Sequence, residues 1–521
     1  MFTTIANILG RATRERGTPS PARAAALAAG PHGRGPGGSG ARALAVRRAV
    51  AAKFDSAQTT PDNRRHWAAA DGLSPNAAVN PEVRRILRNR ARYEVANNSY
   101  AKGIVLTLGN DTIGTGPRLQ MLTDNDSANR RVEELFEAWA EAIDLPGKLR
   151  TMRMARAESG EAFGLLVSSP GINSPIKLDL RLIEPEQVTT PLLPSRPRMP
   201  GTRTPDDEID GILLDQHGLP TAYRVLRTHP GDTLSWAGPD PLAFDTLPAS
   251  SVVHYFRADR PGQMRGIPDI TSALPLFAQL RRYTLAVIAA AETAADFAAV
   301  LYTEAPANGE ADPLEPMDEV ELEKRMATVL PGGWKLGQVH AEQPTTSYAE
   351  FKREILNEIA RCLNMPFNVA AGNSSGYNYA SGRLDHQTYF KSLRVDQHHL
   401  RLTVLDRLLR AWMDEAALIE GLLPQSMRVR SAAIPHTWFW DGVEHVDPAK
   451  EATAQATRLA NHTTTLAAEF ARQGRDWEDE LRQRAKELAL MAELGLPLTT
   501  TAQNGSAPQR DEEQETTADA T

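Results

Sequence analysis

Between residues 127 and 144 apolar side chains recur at helical steps, and Val132, Leu135, Phe136 and Trp139 fall on one face of an amphipathic helix. The stretch 81–108 also predicts a helix. Asn80 suits its cap and Pro81 its first turn, and Arg84, Arg85, Arg88, Arg90 and Arg92 follow. Asn110 to Gly116 reads as a turn. From residue 160 the period changes to two. Ala162–Ser168, Ile176–Ile183, Ala222–Leu226 and Val252–Arg257 predict strands between Pro- and Gly-containing turns. Helices first and sheet afterwards predict an α+β body.

The pattern shifts again at Pro268. From there to Leu301 only Pro275 interrupts a helical reading, and the stretch is dense in alanine, Ala291 and Ala295 among them. Helical throughout, it would be about 50 Å long. Alanine favours helix, and small side chains let a neighbouring helix approach closely. Residues 302–346 predict a short helix over Asp318–Leu330, a Pro-Gly-Gly turn and a strand. A second helix is predicted over Ser347–Asn364, with Phe351, Ile355, Ile359 and Leu363 four apart. A polar loop then spans 366–382. A longer helix, about 383–420, carries Leu393, Leu400, Val404, Leu408 and Trp412. Near the end Asp447-Pro448 opens a helix that Gly474 closes. Asp476 caps the next, which Gly495 and Pro497 stop.

At 521 residues the chain exceeds one core, given about 150 residues per domain. Its 41% hydrophobic and 24% charged residues are ordinary for a packed chain. Cys362 is the single cysteine, which excludes a disulfide framework and thiolate-rich metal sites. Its apolar neighbours predict a buried small side chain. A net charge of −7 argues against a protein that grips DNA tightly, which needs an excess of Lys and Arg. Charge is uneven along the chain. Residues 1–54 carry nine Lys and Arg against Glu15, and 302–346 carry a net −6. Residues 1–53 are expected to be a disordered basic arm and 498–521 a disordered acidic tail. An Arg-rich start also fits a transit peptide, but the mobile arm is the expectation here, and the lack of a compact apolar stretch argues against secretion. The most apolar run, Leu285 to Leu301, contains Glu292 and Asp296 and falls short of the ~20 apolar residues a bilayer requires, so no membrane span is expected.

Three enzyme-like patterns fail on context. Gly35 to Gly40 fits G-x-G-x-x-G but lies in the arm, with no strand before it. Gly372 to Gly376 fits the G-x-S-x-G of serine hydrolases, with Ser374 as nucleophile and Asp385, Asp396, His398 and His399 downstream. That elbow needs a preceding strand, and here a helix precedes. His386 and His399 lack an i, i+4 spacing for a metal.

What remains is architecture without a catalytic centre: two long helices flanking an acidic insert, a polar loop, then a longer helix. The arrangement resembles the portal proteins of tailed bacteriophages, lambda family. The run from Arg88 to Tyr100 is similar to the family's arginine-rich helix, and Asn110 to Gly116 to its NxVGTG turn. Glu158-Ser-Gly-Glu-Ala162, Ile183-Glu-Pro-Glu186, His254-Tyr-Phe256 and Arg265-Gly-Ile-Pro268 resemble further family motifs. So do Trp440, Val446 to Ala452 and Gly474 to Asp476. The likeness covers roughly 50–497, in order.

The resemblance implies an elongated α+β subunit with long helices and a β-containing wing, assembled into a ring, a dodecamer, at one capsid vertex. Double-stranded DNA would pass through its channel without sequence specificity during packaging and ejection. The wing would be 54–267 and 383–446, and the stem 268–301 and 347–365. The clip would be 302–346, the tunnel loop 366–382 and the crown 447–497. Asn373, Ser374, Ser375, Tyr377, Asn378 and Tyr379 would line the channel. Glu319, Glu321 and Glu323 would dock the terminase large subunit and connector proteins, and Ala291 and Ala295 would pack the stem. Other partners implied are the major capsid protein, scaffold and head-completion or tail proteins. No cofactor, metal or enzyme activity is implied. The location implied is the virion, assembled in the host bacterial cytoplasm. A gene-transfer particle or defective prophage would use the same fold.

Overall fold

The computed structural model describes residues 60–190, 207–232, 243–296, 300–303, 334–337, 346–376, 378–427, 434–442 and 448–496. The expected terminal arms, the clip helix over 318–330, and the expected boundary residues Asp447 and Pro497 lie outside these. The chain divides into two units, Met1–Gly72 and Leu73–Thr521. In the first, residues 61–69 are turns, with the Thr60 amide bonded to Asn63 Oδ1 at 2.7 Å. The rest concerns the second.

Thirteen helices and eleven strands are described. The short α1 (Pro75–Ala78) precedes α2 (Pro81–Asn97) and α3 (Ser99–Ile113). Asn80 caps α2 as expected, its Oδ1 accepting from Val83 N at 3.0 Å. Where one helix was predicted there are two, because Asn98 breaks the backbone and its side chain caps α3. Helix α3 also runs to Ile113, so the expected turn begins only at Gly114. There follow β1 (Arg118–Met121), α4 (Asp126–Ala142) and α5 (Leu145–Ser159), then β2 (Glu161–Ser168) and β3 (Leu178–Ile183). The pattern did not mark α5. Strands β4 (Asp207–Ile209), β5 (Ile212–Leu214), β6 (Pro220–Leu226), β7 (Phe244–Pro248) and β8 (Val252–Phe256) complete this region.

The long helix α6 (Leu274–Asp296) starts six residues later than predicted. A tight turn occupies Thr271–Ala273, and Pro275 falls in the first helical turn, where it is tolerated. Leu301 belongs to β9 (Val300–Thr303), which pairs with β10 (Trp334–Gly337). Helices α7 (Thr346–Cys362), α8 (Phe367–Ala371) and α9 (Tyr379–Leu400) come next. The expected loop 366–382 is thus helical at both ends. Helix α9 continues through a widened π turn at Arg401–Leu405 into α10 (Asp406–Leu418). Strand β11 (His436–Phe439) and helices α11 (Pro448–Ala460), α12 (Leu466–Arg472) and α13 (Trp477–Glu493) close the order. The expected final helix pair is a triplet, because His462 turns to a left-handed conformation and Thr465 caps a new helix.

All strand pairs are antiparallel. They form sheets β3-β2-β8 and β4-β5-β6-β7 and two ribbons, β1-β11 and β10-β9. Three buried clusters hold them. Val132, Phe136 and Trp139 of α4 meet Trp412 of α10 and Trp438 of β11, with Phe136 at 5.4 and 5.6 Å from the last two rings. Leu393, Leu400, Val404, Leu408 and Trp412 are all buried, as their spacing predicted. A second cluster packs α2 and α3 on the first turns of α6, on α7 and on α9. The third lies between the two sheets. Along α6, Leu274, Phe277 and Leu280 are buried but Leu285 and Ile288 are 58% and 49% exposed, so the helix leaves the core after two turns. No helix among the described residues is long and apolar enough to cross a membrane.

Candidate functional site

Arg84, Arg88 and Arg92 lie four apart and share one face of α2. Arg84 and Arg88 are each 4% exposed, which is tolerable only if carboxylates meet them. Glu161, the first residue of β2, is fully buried. It accepts from Arg88 at 3.2 Å, from Arg265 at 2.8 Å, from the Gly266 amide at 3.1 Å and from His254 Nε2 at 2.9 Å. Arg265 also reaches Asp210 at 2.9 Å, and Asp210 pairs with Arg84. Glu186 takes Arg88 at 3.3 Å and Arg92 at 2.9 Å, and Glu184 takes Arg92 at 3.2 Å.

Burial opposes the charge on Glu161, but Arg265 and His254 outweigh it and hold its carboxyl well below the usual range. Burial pushes the His254 imidazole down despite Glu161, so the ring stays neutral and donates from Nε2. It is stacked between Phe163 and Phe256, with centroids at 4.2 and 4.3 Å. Burial, then the field of Arg265, brings the Arg84 guanidinium down to about 9.

Gly160 and Gly266 let the chain close over this network. Gly160 ends α5 at φ 93°, and a Cβ there would lie 2.5 Å from the Ile267 carbonyl carbon. The segment 265–268 therefore crosses directly over the end of α5, and Ile270 N donates to Ala157 O at 3.4 Å.

A second network lies beside it. Arg153 bonds Asp269 at 3.1 Å and Asp396 at 2.9 Å, and Arg156 reaches them at 3.4 and 3.0 Å. Arg156 also bonds the Tyr255 hydroxyl at 2.8 Å. Burial raises the Asp396 carboxyl, but Arg153 and Arg156 overcome this and the net shift is downward. Asp269 lies just before α6, and Asp396 is on α9. The two arginines of α5 thus bind the base of one long helix to the side of another.

The innermost charges, Arg88, Arg156, Arg265, Glu161 and Asp269, are matched and enclosed, and removing one partner of such a buried pair costs about 3–5 kcal/mol. Glu184, Glu186 and His229 bring three potential metal ligands within 4.8 Å, but Arg92 and Arg88 already neutralise the two carboxylates.

The expected channel residues sit in the α8–α9 link. Asn373, Ser374 and Ser375 are exposed. Asn373 Oδ1 accepts from the Ser375 amide and hydroxyl at 2.9 and 2.6 Å, and Asn378 caps α9 by accepting from Ser381 N at 2.8 Å. Two of the polar side chains thus shape the link itself. Tyr379 opens α9, and Tyr377 lies outside the described residues. Ser374 sits between helices, not at a strand–helix elbow. Asp396 is held by arginines, His386 bonds Asn368 at 3.0 Å, and His399 packs 5.4 Å from the Tyr255 ring. Ala291 is half-buried on the outer part of α6, and Ala295 lies on the same helix. Glu319, Glu321 and Glu323 lie outside the described residues. Cys362 is half-buried, its thiol donating to Asp269 O at 3.2 Å.

Sequence reasoning missed Arg153, Arg156 and Asp269. The available signal was a pair of arginines three apart among Leu149, Met152 and Ala157.

The family described as phage portal protein, lambda family, matches residues 61–397, more than half of the chain. The chain belongs to that family. A curated relative described as a "Probable portal protein", from Halomonas phage phiHAP-1, is 24% identical over 442 residues, covering 79% of this chain and 81% of its own. Among solved structures, similarity extends to a chain of the virion of a native gene transfer agent particle (TM-score 0.39, 12% identity, 84% of this chain and 100% of that one). A chain in the neck of an empty particle of the same kind gives TM-score 0.40 at 14% identity, over 78% of this chain and 92% of that one. Some of the residues that carried the resemblance to lambda-family portals meet in space. Arg88, Arg92, Glu161, Glu184, Glu186, His254 and Arg265 build one network, buried at Glu161, Arg88, His254 and Arg265 and open at Glu184.

Proposed function

We propose that twelve copies of this chain form a ring at one capsid vertex, and that double-stranded DNA enters and leaves the particle through its channel. Membership of the lambda family of portals is the observation that carries this reading. The charge agrees with it, since a subunit at −7 offers phosphate no deep electrostatic well. In this reading 54–267 and 383–446 are the wing, 268–301 and 347–365 the stem, 302–346 the clip, and 447–497 the crown. The α8–α9 link is the tunnel loop. Asn373, Ser374, Ser375, Tyr377, Asn378 and Tyr379 touch passing DNA weakly, because the segment 366–382 has no Lys or Arg. Glu319, Glu321 and Glu323 dock the terminase large subunit, and Ala291 and Ala295 face neighbouring stems. The subunit acts as a structural part of the virion. Its further contacts are with capsid, scaffold and connector proteins.

The test is negative-stain imaging of the purified full chain. Closed rings with a central hole are expected. Monomers persisting at high concentration and with scaffold present would overturn the reading.

A further inference from the structure

The solvent faces of α7 and α9 are opposite in charge. Arg383, Gln387, Lys391, Arg394 and His398 recur at steps of three and four along α9, which places them on one face, and all are exposed. Leu384, Val395 and Leu402 border that face at 66%, 63% and 52% exposure. The acids of α9 are elsewhere. Asp396 is held by Arg153 and Arg156, and Asp385 is two ~100° helical steps on from Arg383.

On α7, Glu350, Glu354 and Glu358 are exposed and four apart. Two cations of the same helix are turned to other partners, and a third, Arg361, sits at the end of the acidic face. Lys352 lies over the Tyr100 ring at 5.0 Å, Arg353 over Phe367 at 5.5 Å, and Arg361 donates to Asn364 at 3.1 Å. A groove along this face is lined by Phe351, Glu354, Ile355, Asn357, Glu358 and Arg361, and Phe351 is 49% exposed. Among the described residues, none of Glu350, Glu354, Glu358, Arg383, Lys391 and Arg394 has an ion-pair partner.

We propose that α7 of one copy docks on α9 of the next, with Glu354 and Glu358 against Lys391 and Arg394 and with Phe351 against Leu384 and Val395. This names the surfaces of the proposed ring and rests on that reading. Charge complementarity selects a second copy as the occupant. The two surfaces are unlike and lie on different helices, so each copy can offer α7 to one neighbour and α9 to the other. Contact runs head to tail and closes into a ring or continues as a filament. The spans also match, about 12 Å from Glu350 to Glu358 and about 16 Å from Arg383 to Arg394. DNA is the less suited occupant of the α9 face, because exposed leucine and valine side chains run along the edge of its cations.

The test is a charge swap in the full-length protein. Glu354→Lys with Glu358→Lys, and separately Lys391→Glu with Arg394→Glu, should each raise the concentration needed for ring assembly about tenfold or more, with circular dichroism and melting unchanged. Lys391→Gln with Arg394→Gln should have a smaller effect of the same sign. All four reversals combined should return assembly to within about threefold of the wild type. Reversals that assemble like the wild type, or a combination no better than its parts, overturn the inference and leave the ring reading standing. Intact rings that lose DNA retention when α9 is reversed assign that face to DNA and also overturn it. A wild-type chain that never assembles removes the ring reading, and this inference with it.

Discussion

The backbone of Gly266 passes so close to Gly160 that a Cβ at 266 would lie 2.1 Å from the Gly160 carbonyl oxygen. This contact seats the segment leading into α6 on the C-terminus of α5. It also brings the Gly266 amide and the Arg265 side chain onto Glu161.

Gly160→Ala should therefore be severe. The left-handed φ costs roughly 1–2 kcal/mol for a residue with a side chain. Crowding the Ile267 backbone should add about 1–3 kcal/mol. Gly372→Ala is the control. Its φ is 61° with open space around it, so only the first cost applies. Thermal unfolding of the two variants separates these contributions.

Removing Arg265 should destabilise by about 3–5 kcal/mol, because Glu161 would keep its burial and lose its main counter-charge. Arg265→Lys should recover little, since one ammonium cannot replace a guanidinium bonded at once to Glu161, Asp210 and the Val188 carbonyl. The pH dependence follows from the sign of the shift. The folded carboxyl lies below its unfolded value, so its contribution is complete above about pH 4.5 and disappears as pH falls through the depressed pKa. Glu161→Gln should lose stability at neutral pH and flatten this acid limb in melts taken from pH 7 downward.

Glu133 should behave in the opposite sense. It lines a pocket between α4 and α13 with Asp126, Arg130, Asp476, Asp479 and Arg482. Burial, against a hydrogen bond from the Met121 amide and with the fields of Asp476, Asp479 and Glu478, raises its carboxyl to about 7. A raised folded pKa gives stability that is present below about pH 4.5 and lost as pH rises toward 7. Melting temperature should fall across that window in the wild type. Glu133→Gln should remove the fall. An unchanged slope in that variant would show that another group titrates.

Deleting Ser374 and Ser375 while keeping Asn378, the cap of α9, should leave assembly intact and reduce retention of packaged DNA. Asn378→Ala should instead cost about 1 kcal/mol through the lost cap, with the link length unchanged. Packaging and retention measured separately distinguish the two effects.

The sequence made the long apolar periodicities readable. The α4 face and the buried stripe from Leu393 to Trp412 were legible because their side chains simply pack. Helix α5 was not, since its buried face carries Arg153 and Arg156, and a buried charge looks like surface until its partner is known. Those partners are 116 and 243 positions away in the chain. Strands β4 and β5 are three residues each, too short to show a period. Helix α8 was read as loop because glycine and asparagine follow it, although Pro366 starts it and Ala370 anchors it in the core. The motif residues were visible one by one. Their convergence on Glu161 was not, because local spacing carries no information about which distant carboxylate an arginine meets.

Arg153 and Arg156 share their counter-ions between two long helices. Asp269 anchors the approach to α6, and Asp396 belongs to the helix that begins at the α8–α9 link. Neither aspartate can be drawn away without leaving two buried guanidiniums under-neutralised, which tightens their hold on the other. The pair works as an electrostatic yoke. A pull on the α8–α9 link is resisted at the root of α6 as well as where it is applied.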